Sequence, residues 1–280
     1  MLTAAAAWFG AVALALCGPF AAVTPSPSGS PAVTVALFTL GGVAIGESVL
    51  DAARAYGPPD LVQTLDDGHE WRWYDVRGID RDLLTDDGLK VHRILLARPG
   101  TPRKGQAAPL VQPQEMPLLD FPAGVGEKSA PAFGAQPLAQ PDPSVLVWRV
   151  RDAIVVGELQ DDRIAKLLAL DAASAQRLGY VSGPRLTESA HRPPILVDLK
   201  ATGYPRSAVE ARAQGVVVLR VAVDSEGKVS DVKVLLSSGR RDIDDAESAS
   251  MRESTFRPAR CGDHACAGVY LDREEYEIDS

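Results

Sequence analysis

The stretch YPRSAVEARAQGVVVLRVAVDSEG, residues 204–227, contains a helix start, a strand and a tight turn in direct succession. Pro205 suits the first turn of a helix, where its missing N–H is no loss, and this helix is predicted to end at Gly215. The run VVVLRVAV (216–223) consists almost entirely of strand-forming residues. DSEG (224–227) then places a glycine where a turn favours positive φ. The stretch therefore predicts a helix followed by the first strand of a β-hairpin.

The residues that follow complete a small unit. KVSDVKVLLSSG (228–239) alternates roughly between apolar and polar residues and predicts the returning strand of the hairpin. Residues 243–256 predict a second helix that ends before Pro258, and GVYLDREEYEI (268–278) predicts a third strand. An antiparallel three-stranded sheet with two helices on one face would bury the valines of the hairpin. The sequence predicts this α+β unit over residues 193–280.

This unit resembles the carboxy-terminal domain of the TonB family. The residues that carry the resemblance occur in register and are Tyr204, Pro205, Gly215, Gly227, Ser237, Ser238, Gly239, Ile243, Asp244, Ala246, Phe256 and Pro258. The resemblance implies a periplasmic domain that binds an extended peptide of an outer-membrane receptor as an added strand beside its own last strand. The border residues that would bind the partner are Val269, Tyr270, Leu271, Asp272, Arg273, Glu274, Glu275, Tyr276 and Glu277.

The charges on this predicted border strand allow two interpretations. An edge strand offers unpaired N–H and C=O groups, which an extended peptide can bind. Five of the seven residues in 271–277 are charged. Such charges either discourage pairing with any other strand or select a basic partner. The sequence leaves both interpretations open.

A pair of cysteines precedes the last predicted strand. Cys261 and Cys266 bracket the turn-forming insert GDHA and predict a disulfide in an oxidising compartment. The loop-entropy model assigns about 2 kcal/mol to a disulfide that closes so short a loop. The alternatives are free thiols, or a metal or redox site in which His264 joins the two cysteines. A closed zinc site requires four ligands, and no fourth ligand lies nearby in the sequence.

The amino-terminal segment is apolar. Residues 1–23 carry no charged side chain, and their apolar run breaks at Gly18 and Pro19. This pattern predicts a signal peptide, or a membrane anchor if the segment is not cleaved. Cys17 lies in a sequence similar to a lipoprotein box, but Leu16 stands where that box requires a small residue. The Pro/Ser-rich residues 24–32 predict a linker.

Residues 33–98 predict a first α+β module. ESVLDAARAYGPPD (47–60) predicts a helix with Ser48 as its N-cap, and short strands are predicted around residues 71–76 and 89–96. This segment resembles the BamE/SmpA family of small outer-membrane-assembly lipoproteins, best over residues 41–96. The resemblance implies an interaction module without chemistry of its own.

A second α+β module is predicted over residues 119–185, as a fainter copy of the first. GVAIGES (42–48) is echoed by AGVGEKS (123–129), EWRWYDV (70–76) by VLVWRVRD (145–152), and LTDDGLKVHRILLA (84–97) by LQDDRIAKLLAL (159–170). Segments that keep their order and spacing indicate a duplication, although strand–turn–strand patterns also recur by coincidence. The proline-rich residues 99–118 between the copies predict an extended spacer.

Composition and motifs restrict the function classes. A net charge of -8 without a basic cluster excludes binding to the phosphate backbone of nucleic acids. The serines at 237 and 238 lack the strand–elbow–helix context of a catalytic nucleophile. Pairs of aspartates at 66–67, 86–87 and 161–162 lack the loop pattern of a calcium site. The sequence therefore predicts no enzyme, no cofactor and no bound metal.

Two functional hypotheses follow, and both place the protein in the periplasm of a Gram-negative bacterium. In the first, it is a TonB-type transport protein that links inner-membrane motor proteins to outer-membrane receptors and keeps residues 1–23 as an anchor. In the second, it is a non-transducing scaffold that binds envelope proteins or peptidoglycan. The anchor of TonB-family transducers carries a histidine, and residues 1–23 contain none. In both hypotheses the chain touches a membrane only through residues 1–23.

Overall fold

The computed structural model of the chain describes residues 39–76, 79–97, 137–138, 142–161, 163–183, 191–201 and 203–278. All of these residues belong to one structural unit. The predicted signal peptide or anchor (1–23), the linker (24–32) and the proline-rich spacer (99–118) lie outside the described residues. The same holds for the beginnings of the two predicted modules, residues 33–38 and 119–136.

The secondary structure is mostly β. The first segment contains β1 (Thr39–Leu40), β2 (Val43–Ala44), α1 (Val49–Tyr56), β3 (Leu61–Leu65), β4 (Gly68–Val76), β5 (Ile79–Thr85) and β6 (Val91–Ala97). The second contains β7 (Val145–Val150), β8 (Ala153–Gln160), β9 (Arg163–Leu170) and α2 (Ala172–Arg177). The third contains β10 (His191–Arg192), β11 (Ile195–Asp198), α3 (Arg206–Glu210), β12 (Gly215–Val223), β13 (Val229–Leu236), α4 (Arg241–Glu253), β14 (Thr255–Arg257), β15 (Ala259–Cys261), β16 (His264–Cys266) and β17 (Gly268–Tyr276). Among these helices, none is long and apolar enough to cross a membrane.

The largest sheet is antiparallel and has seven strands in the order β3–β4–β5–β6–β9–β8–β7. β6 pairs with β9, with Leu95 opposite Leu168. Without this pairing, each of the two strands would end its part of the sheet with a row of unpaired N–H and C=O groups. The segments predicted as two modules, 33–98 and 119–185, therefore contribute to one continuous upstream sheet instead of two separate sheets.

The second part of the upstream sheet mirrors the first. β4–β5–β6 and β7–β8–β9 are both three-stranded meanders, and they meet at their last strands. The tryptophans of the repeated segments, Trp73 on β4 and Trp148 on β7, are 1% and 2% exposed. Each is thus a core residue with no face open for stacking on a ligand. The repeated tryptophan-bearing segments, in β4 and β7, occupy equivalent places in the sheet, and the origin of the repeat by duplication stays a prediction.

Helix α1 closes one side of this core. Ser48 is its N-cap, since the serine side chain accepts a hydrogen bond from the Leu50 backbone N–H. Gly57, with φ of 88°, ends the helix. The indole Nε1 of Trp73 donates to the Gly57 carbonyl oxygen at 2.9 Å, which joins the helix end to β4.

The carboxy-terminal unit contains a three-stranded antiparallel sheet in the order β13–β12–β17. Val217 and Leu219 on one face of β12 pack with Ile243 of α4, whereas Val218 on the other face joins the core of the upstream sheet. Because both faces of β12 are covered, its sequence is a continuous apolar run and not an alternating one. The predicted arrangement, with helices on one face only, omitted this second contact.

Two small sheets were not predicted. β11 pairs with β14, and β10, β15 and β16 form a three-stranded sheet. These strands have only two to four residues each. Pro193 and Pro194 separate β10 from β11, and Pro258 separates β14 from β15, so no periodic pattern marks these strands in the sequence. The predicted helix over 243–256 ends at Glu253 because the next residues form β14.

Candidate functional site

Strand β17, the predicted binding border, pairs with another strand on one side only. It is paired with β12 along its whole length, from Gly268 opposite Val223 to Tyr276 opposite Gly215. Within the described residues, no second strand pairs with it. Eight of the nine predicted border residues, 269–276, lie in β17, and Glu277 follows directly.

Side chains of β17 point alternately toward two cores. Tyr270 and Tyr276 pack in the cluster that contains residues of α4. Val269 and Leu271 pack in the core of the upstream sheet. This alternation is the normal period of a strand, and it places β17 between a helix layer and the upstream sheet.

The outer side of β17 is partly covered, because β3 of the upstream sheet lies beside its middle. The backbone N–H of Leu271 donates to Thr64 Oγ1 at 3.0 Å. The guanidinium Nε of Arg273 donates to the Pro59 carbonyl oxygen at 2.7 Å. Both bonds involve a side chain, and β3 and β17 do not form a common sheet. The upstream sheet therefore covers part of the border without pairing with its backbone.

The bond to Thr64 also shows which backbone groups face outward. The N–H of Leu271 points away from β12, since it reaches Thr64 on the opposite side. In an antiparallel pair, alternate residues direct both backbone groups the same way. Val269, Arg273 and Glu275 therefore present their N–H and C=O groups on the outer side as well.

A hydrogen-bonded chain holds Thr64 in place. Its Oγ1 lies 3.1 Å from Nδ1 of His69, and Nε2 of His69 lies 3.0 Å from Oδ1 of Asp87. His69 is only 1% exposed. The hydrogen bond from His69 lowers the pKa of the Asp87 carboxyl. Thr64 is thus positioned from the upstream sheet to receive the N–H of Leu271.

An acidic pocket of about 260 Å³ lies where β17 ends beside α4. Its carboxylates are Glu247, Asp272, Glu274, Glu275 and Glu277. Its apolar surface comes from Leu199, Met251 and the rings of Tyr204 and Tyr276. Among the described residues that line it, none is a lysine, an arginine or a histidine.

The carboxyl groups of this acidic pocket perturb one another. Burial, and then the nearby charges of Glu247 and Glu274, raise the pKa of Asp272 to about 7. Burial also raises the pKa of Glu274, again with a contribution from Glu247. Oδ2 of Asp272 and the hydroxyl of Tyr204 are buried, and neither has a hydrogen-bond partner within the described residues. The pocket therefore holds excess negative charge and acceptor capacity.

Glu247 is the most enclosed carboxylate of the pocket, with 6% exposure. It accepts a hydrogen bond from the hydroxyl of Tyr276 at 2.7 Å. Burial, and then this bond, raise the pKa of Tyr276. The ring of Tyr276 in turn meets the ring of Tyr204 edge to face, with centroids 4.9 Å apart. These contacts fix the wall of the pocket.

Residues of the predicted family motif lie in the scaffold of the unit. A Cβ atom on Gly215 would lie 2.4 Å from the carbonyl oxygen of Ser238, and one on Gly227 would lie 2.2 Å from that of Phe256. Asp244 accepts from the backbone N–H and the hydroxyl of Ser238 at 2.9 and 2.7 Å. The Ser-Ser-Gly segment, which includes Ser237 and Gly239, thus forms the loop that leads into α4. Of the remaining motif residues, Pro205 is the N-cap of α3 and Pro258 follows β14.

Cys261 and Cys266 are joined by a disulfide across the β15–β16 hairpin. The histidine beside them is His191, which pairs with Cys261 in the sheet. Its ring nitrogen and the two sulfurs lie within 4.8 Å of one another, and this is the one group of potential metal ligands among the described residues. His264, considered with the cysteines from the sequence, does not belong to it. Both sulfurs are bonded to each other, so the group is not a set of thiolate ligands in this state.

A larger groove, of about 1070 Å³, lies on the upstream side of β17. Three histidines, His69, His92 and His191, line it together with Val269 of β17. His69 is already bonded to Thr64 and Asp87, and burial lowers the pKa of His92. Thr64 and Asp87 also line the groove, and the hydrogen-bonded chain that they form with His69 ends at the backbone N–H of Leu271.

Sequence patterns gave no signal for several residues of the candidate site. Thr64 lies 207 positions before the amide that it binds. Glu247 and Leu199 come from two other elements and meet Asp272 only in the folded unit. Glu247 carries one indirect signal, because it is a charged residue on the buried side of α4, where an apolar residue is expected.

Comparison with known proteins concerns the carboxy-terminal unit. Residues 200–268 match the family model of the Gram-negative bacterial TonB protein C-terminal. The resemblance predicted for residues 193–280 is thereby confirmed over that range. Protein tonB2 of Pseudomonas aeruginosa is 38% identical over 65 residues, which are 23% of this chain and 24% of that protein. The chain thus matches about a quarter of this curated relative's length. The likeness of residues 33–98 to BamE/SmpA proteins stays a prediction.

Two solved structures share weak similarity with the chain. An extracellular protein containing a SCP domain from Bacillus anthracis has a TM-score of 0.34 at 10% identity, over 51% of each chain. A cysteine-rich secretory protein from Staphylococcus aureus has a TM-score of 0.29 at 12% identity, over 54% of this chain and 56% of that one.

Proposed function

We propose that the carboxy-terminal unit binds an extended peptide of an envelope protein by strand addition on the outer side of β17. The observation that carries this proposal is that β17 pairs only with β12 among the described strands. The outward backbone groups of alternate residues would supply the hydrogen bonds of the added strand. The TonB match over residues 200–268 supports the same use of the unit.

The proposal includes the setting of this interaction. We place the protein in the periplasm of a Gram-negative bacterium and propose outer-membrane receptors as its partners. In this role the protein is a binding protein and not an enzyme, and the Thr64 hydroxyl, which contacts His69, serves to accept the Leu271 N–H.

The contact with β3 does not prevent strand addition. It occupies the outer side of β17 through one backbone N–H, that of Leu271. This neutral hydrogen bond contributes about 1 kcal/mol, and the bond from the charged Arg273 side chain to the Pro59 carbonyl contributes about 1.5–3 kcal/mol. An added strand would replace Thr64 by a backbone carbonyl and would gain further bonds at Val269 and Arg273. Binding is therefore expected to displace β3 locally.

The experiment that tests strand addition uses peptides selected from a random nine-residue library displayed on phage. Each binding peptide is resynthesised in two forms, N-methylated at its odd or at its even positions. One form should lose binding, because it lacks the N–H groups that face β17, whereas the other should retain it. Hydrogen exchange should slow at the outward amides of Val269 and Arg273, and the inward amide of Tyr270 serves as the internal control.

Two results would contradict the proposal. Equal binding by both N-methylated forms would show that the peptide backbone does not pair with the protein. Unchanged exchange at Val269 and Arg273 in the presence of a bound peptide would place the binding site elsewhere.

A second candidate function, a non-transducing scaffold, is favoured by the packing of the upstream sheet. Val269 and Leu271 of β17 share a core with that sheet, whereas a force-transmitting protein requires an extended connection between two membranes. Amino-terminal sequencing of the protein purified from its host tests this candidate. A mature chain that starts near residue 23 would support the scaffold, and an intact residue 1 would support an anchored transducer.

A further inference from the structure

We infer that the acidic pocket at the end of β17 binds a lysine or arginine side chain of the added peptide, so that the unit selects a basic partner. This inference rests on the proposed strand addition and names the chemistry of its partner. The charges of the border strand allowed two interpretations, discouragement of pairing or selection of a basic partner, and this inference favours the second.

The acidic pocket lies where a side chain of an added strand would be. Asp272, Glu274 and Tyr276 project to the α4 side of β17, and all three line the pocket. A strand added beside β17 would direct every second side chain to the same face. One of these side chains would therefore lie over the pocket, next to Asp272 and Glu274.

The acidic pocket is negatively charged and has an acceptor without a donor in the described part of the chain. Five carboxylates line it, and of these Glu275 is ion-paired with Arg273 at 2.7 Å, whereas none of the described lining residues is basic. Oδ2 of Asp272 is buried and receives no hydrogen bond from the described residues. A buried carboxyl oxygen without a donor is unfavourable, and an ammonium or guanidinium group supplies both the donor and the opposite charge. Burial is the main reason that the pKa of Asp272 is raised, and binding of a cation would offset both this desolvation and the repulsion from Glu247 and Glu274.

The shape and the apolar wall of the pocket fit a long basic side chain. Leu199 is 48% exposed at its rim, and Met251 and Tyr276 contribute apolar surface. Lysine and arginine bury their methylene stems on such surfaces and keep the charged group at the polar end. A volume of about 260 Å³ lies below the usual size of sites for whole small molecules, so a single side chain is the better match.

A divalent cation fits the pocket less well. Metal binding requires several oxygens that converge on one point. The one group of converging potential ligands in the described part of the chain is His191 with the two cysteines, outside this pocket. The carboxylates of the acidic pocket are thus spread along its wall, as suits an elongated side chain.

The test compares three capped nine-residue peptides of alternating threonine and valine that differ only at the central residue. This residue is lysine, its neutral isostere norleucine, or glutamate, and affinities are measured by NMR titration up to about 1 mM peptide. The lysine peptide should bind at least about tenfold more tightly than the norleucine peptide, and the glutamate peptide should bind most weakly. In the variant with Asp272→Asn and Glu274→Gln, the ratio of lysine to norleucine affinity should fall to about 1–2. Glu226→Gln removes the same type of charge from an exposed turn and should leave the ratio unchanged.

The outcomes separate this inference from the proposed function. Equal affinities for all three peptides, with protection of the outward amides of β17, would overturn basic selection and leave strand addition standing. A high ratio that persists in the double variant would also overturn it, since the selectivity would then arise elsewhere. Absence of binding by every peptide would overturn strand addition and this inference together.

Discussion

Replacing Asp272 by asparagine should stabilise the carboxy-terminal unit at alkaline pH and leave it nearly unchanged at acidic pH. The pKa of Asp272 in the folded protein is raised from 3.8 to about 7, first by burial and then by Glu247 and Glu274. A raised pKa means that the folded state holds the proton more tightly than the unfolded state does. The contribution of Asp272 to stability is therefore most favourable at low pH and is lost as the pH rises from about 4 to about 7.

The size of this effect follows from the pKa shift. One pKa unit corresponds to about 1.4 kcal/mol, so the rise from 3.8 to about 7 sets an upper limit near 4 kcal/mol. Asp272 is partly exposed to solvent, which screens its charge, and we expect about half of this limit, roughly 2 kcal/mol. Asparagine keeps the size of the side chain but carries no charge, and its amide adds a donor toward Glu247 and Glu274.

The assay is urea unfolding of the wild type and the variant at about pH 4 and about pH 8, followed by far-UV circular dichroism and by exchange of β12 and β17 amides. Burial and Glu70 also raise the pKa of Asp82 to about 7 in the upstream sheet, so the wild-type curve contains a second contribution. The difference in unfolding free energy between the variant and the wild type removes the Asp82 contribution and leaves that of Asp272. Asp263→Asn, on the exposed turn of the β15–β16 hairpin, is the matched control and should change stability by less than about 0.5 kcal/mol at either pH.

The reasoning is refuted if the difference between Asp272→Asn and wild type is the same at both pH values. A variant that is less stable than wild type at about pH 8 would refute it more strongly, since Asp272 would then have a favourable partner as a charged group.

Three further perturbations probe the contacts around β17. Thr64→Val should speed exchange of the β17 amide that it binds and raise peptide affinity severalfold, whereas Thr64→Ser, which keeps the hydroxyl, should behave as wild type. Serine in place of both cysteines of the β15–β16 hairpin should lower the free energy of unfolding by about 2 kcal/mol, and a reductant should have no effect on that variant. Gly227→Ala should destabilise the unit by more than about 2 kcal/mol, because φ is 86° and a Cβ would lie 2.2 Å from a carbonyl oxygen. Gly239 has the same φ but open space around it, so Gly239→Ala should lower the free energy of unfolding by only about 1 kcal/mol.

Local patterns predicted the elements of the carboxy-terminal unit well. The order of helix, hairpin, helix and strand read from residues 204–278 is the order of α3, β12, β13, α4 and β17. The turn at Gly227 and the N-cap at Ser48 were predicted because the residue types that favour these conformations act within a few positions. The short strands β10, β11, β14, β15 and β16 were missed, since fragments of two to four residues carry no measurable period.

The sequence by itself determined where the longer strands and helices form and that the last strand could border a sheet, because backbone conformation and capping depend on neighbouring residues. Only the tertiary structure decided which borders meet. It joined β6 to β9, placed Thr64 beside Leu271, and assembled the acidic pocket from Leu199, Glu247 and Asp272. The physical reason is that the unpaired groups of an edge strand are the same in every sequence. Its neighbour is therefore chosen by the burial and charge of the whole fold.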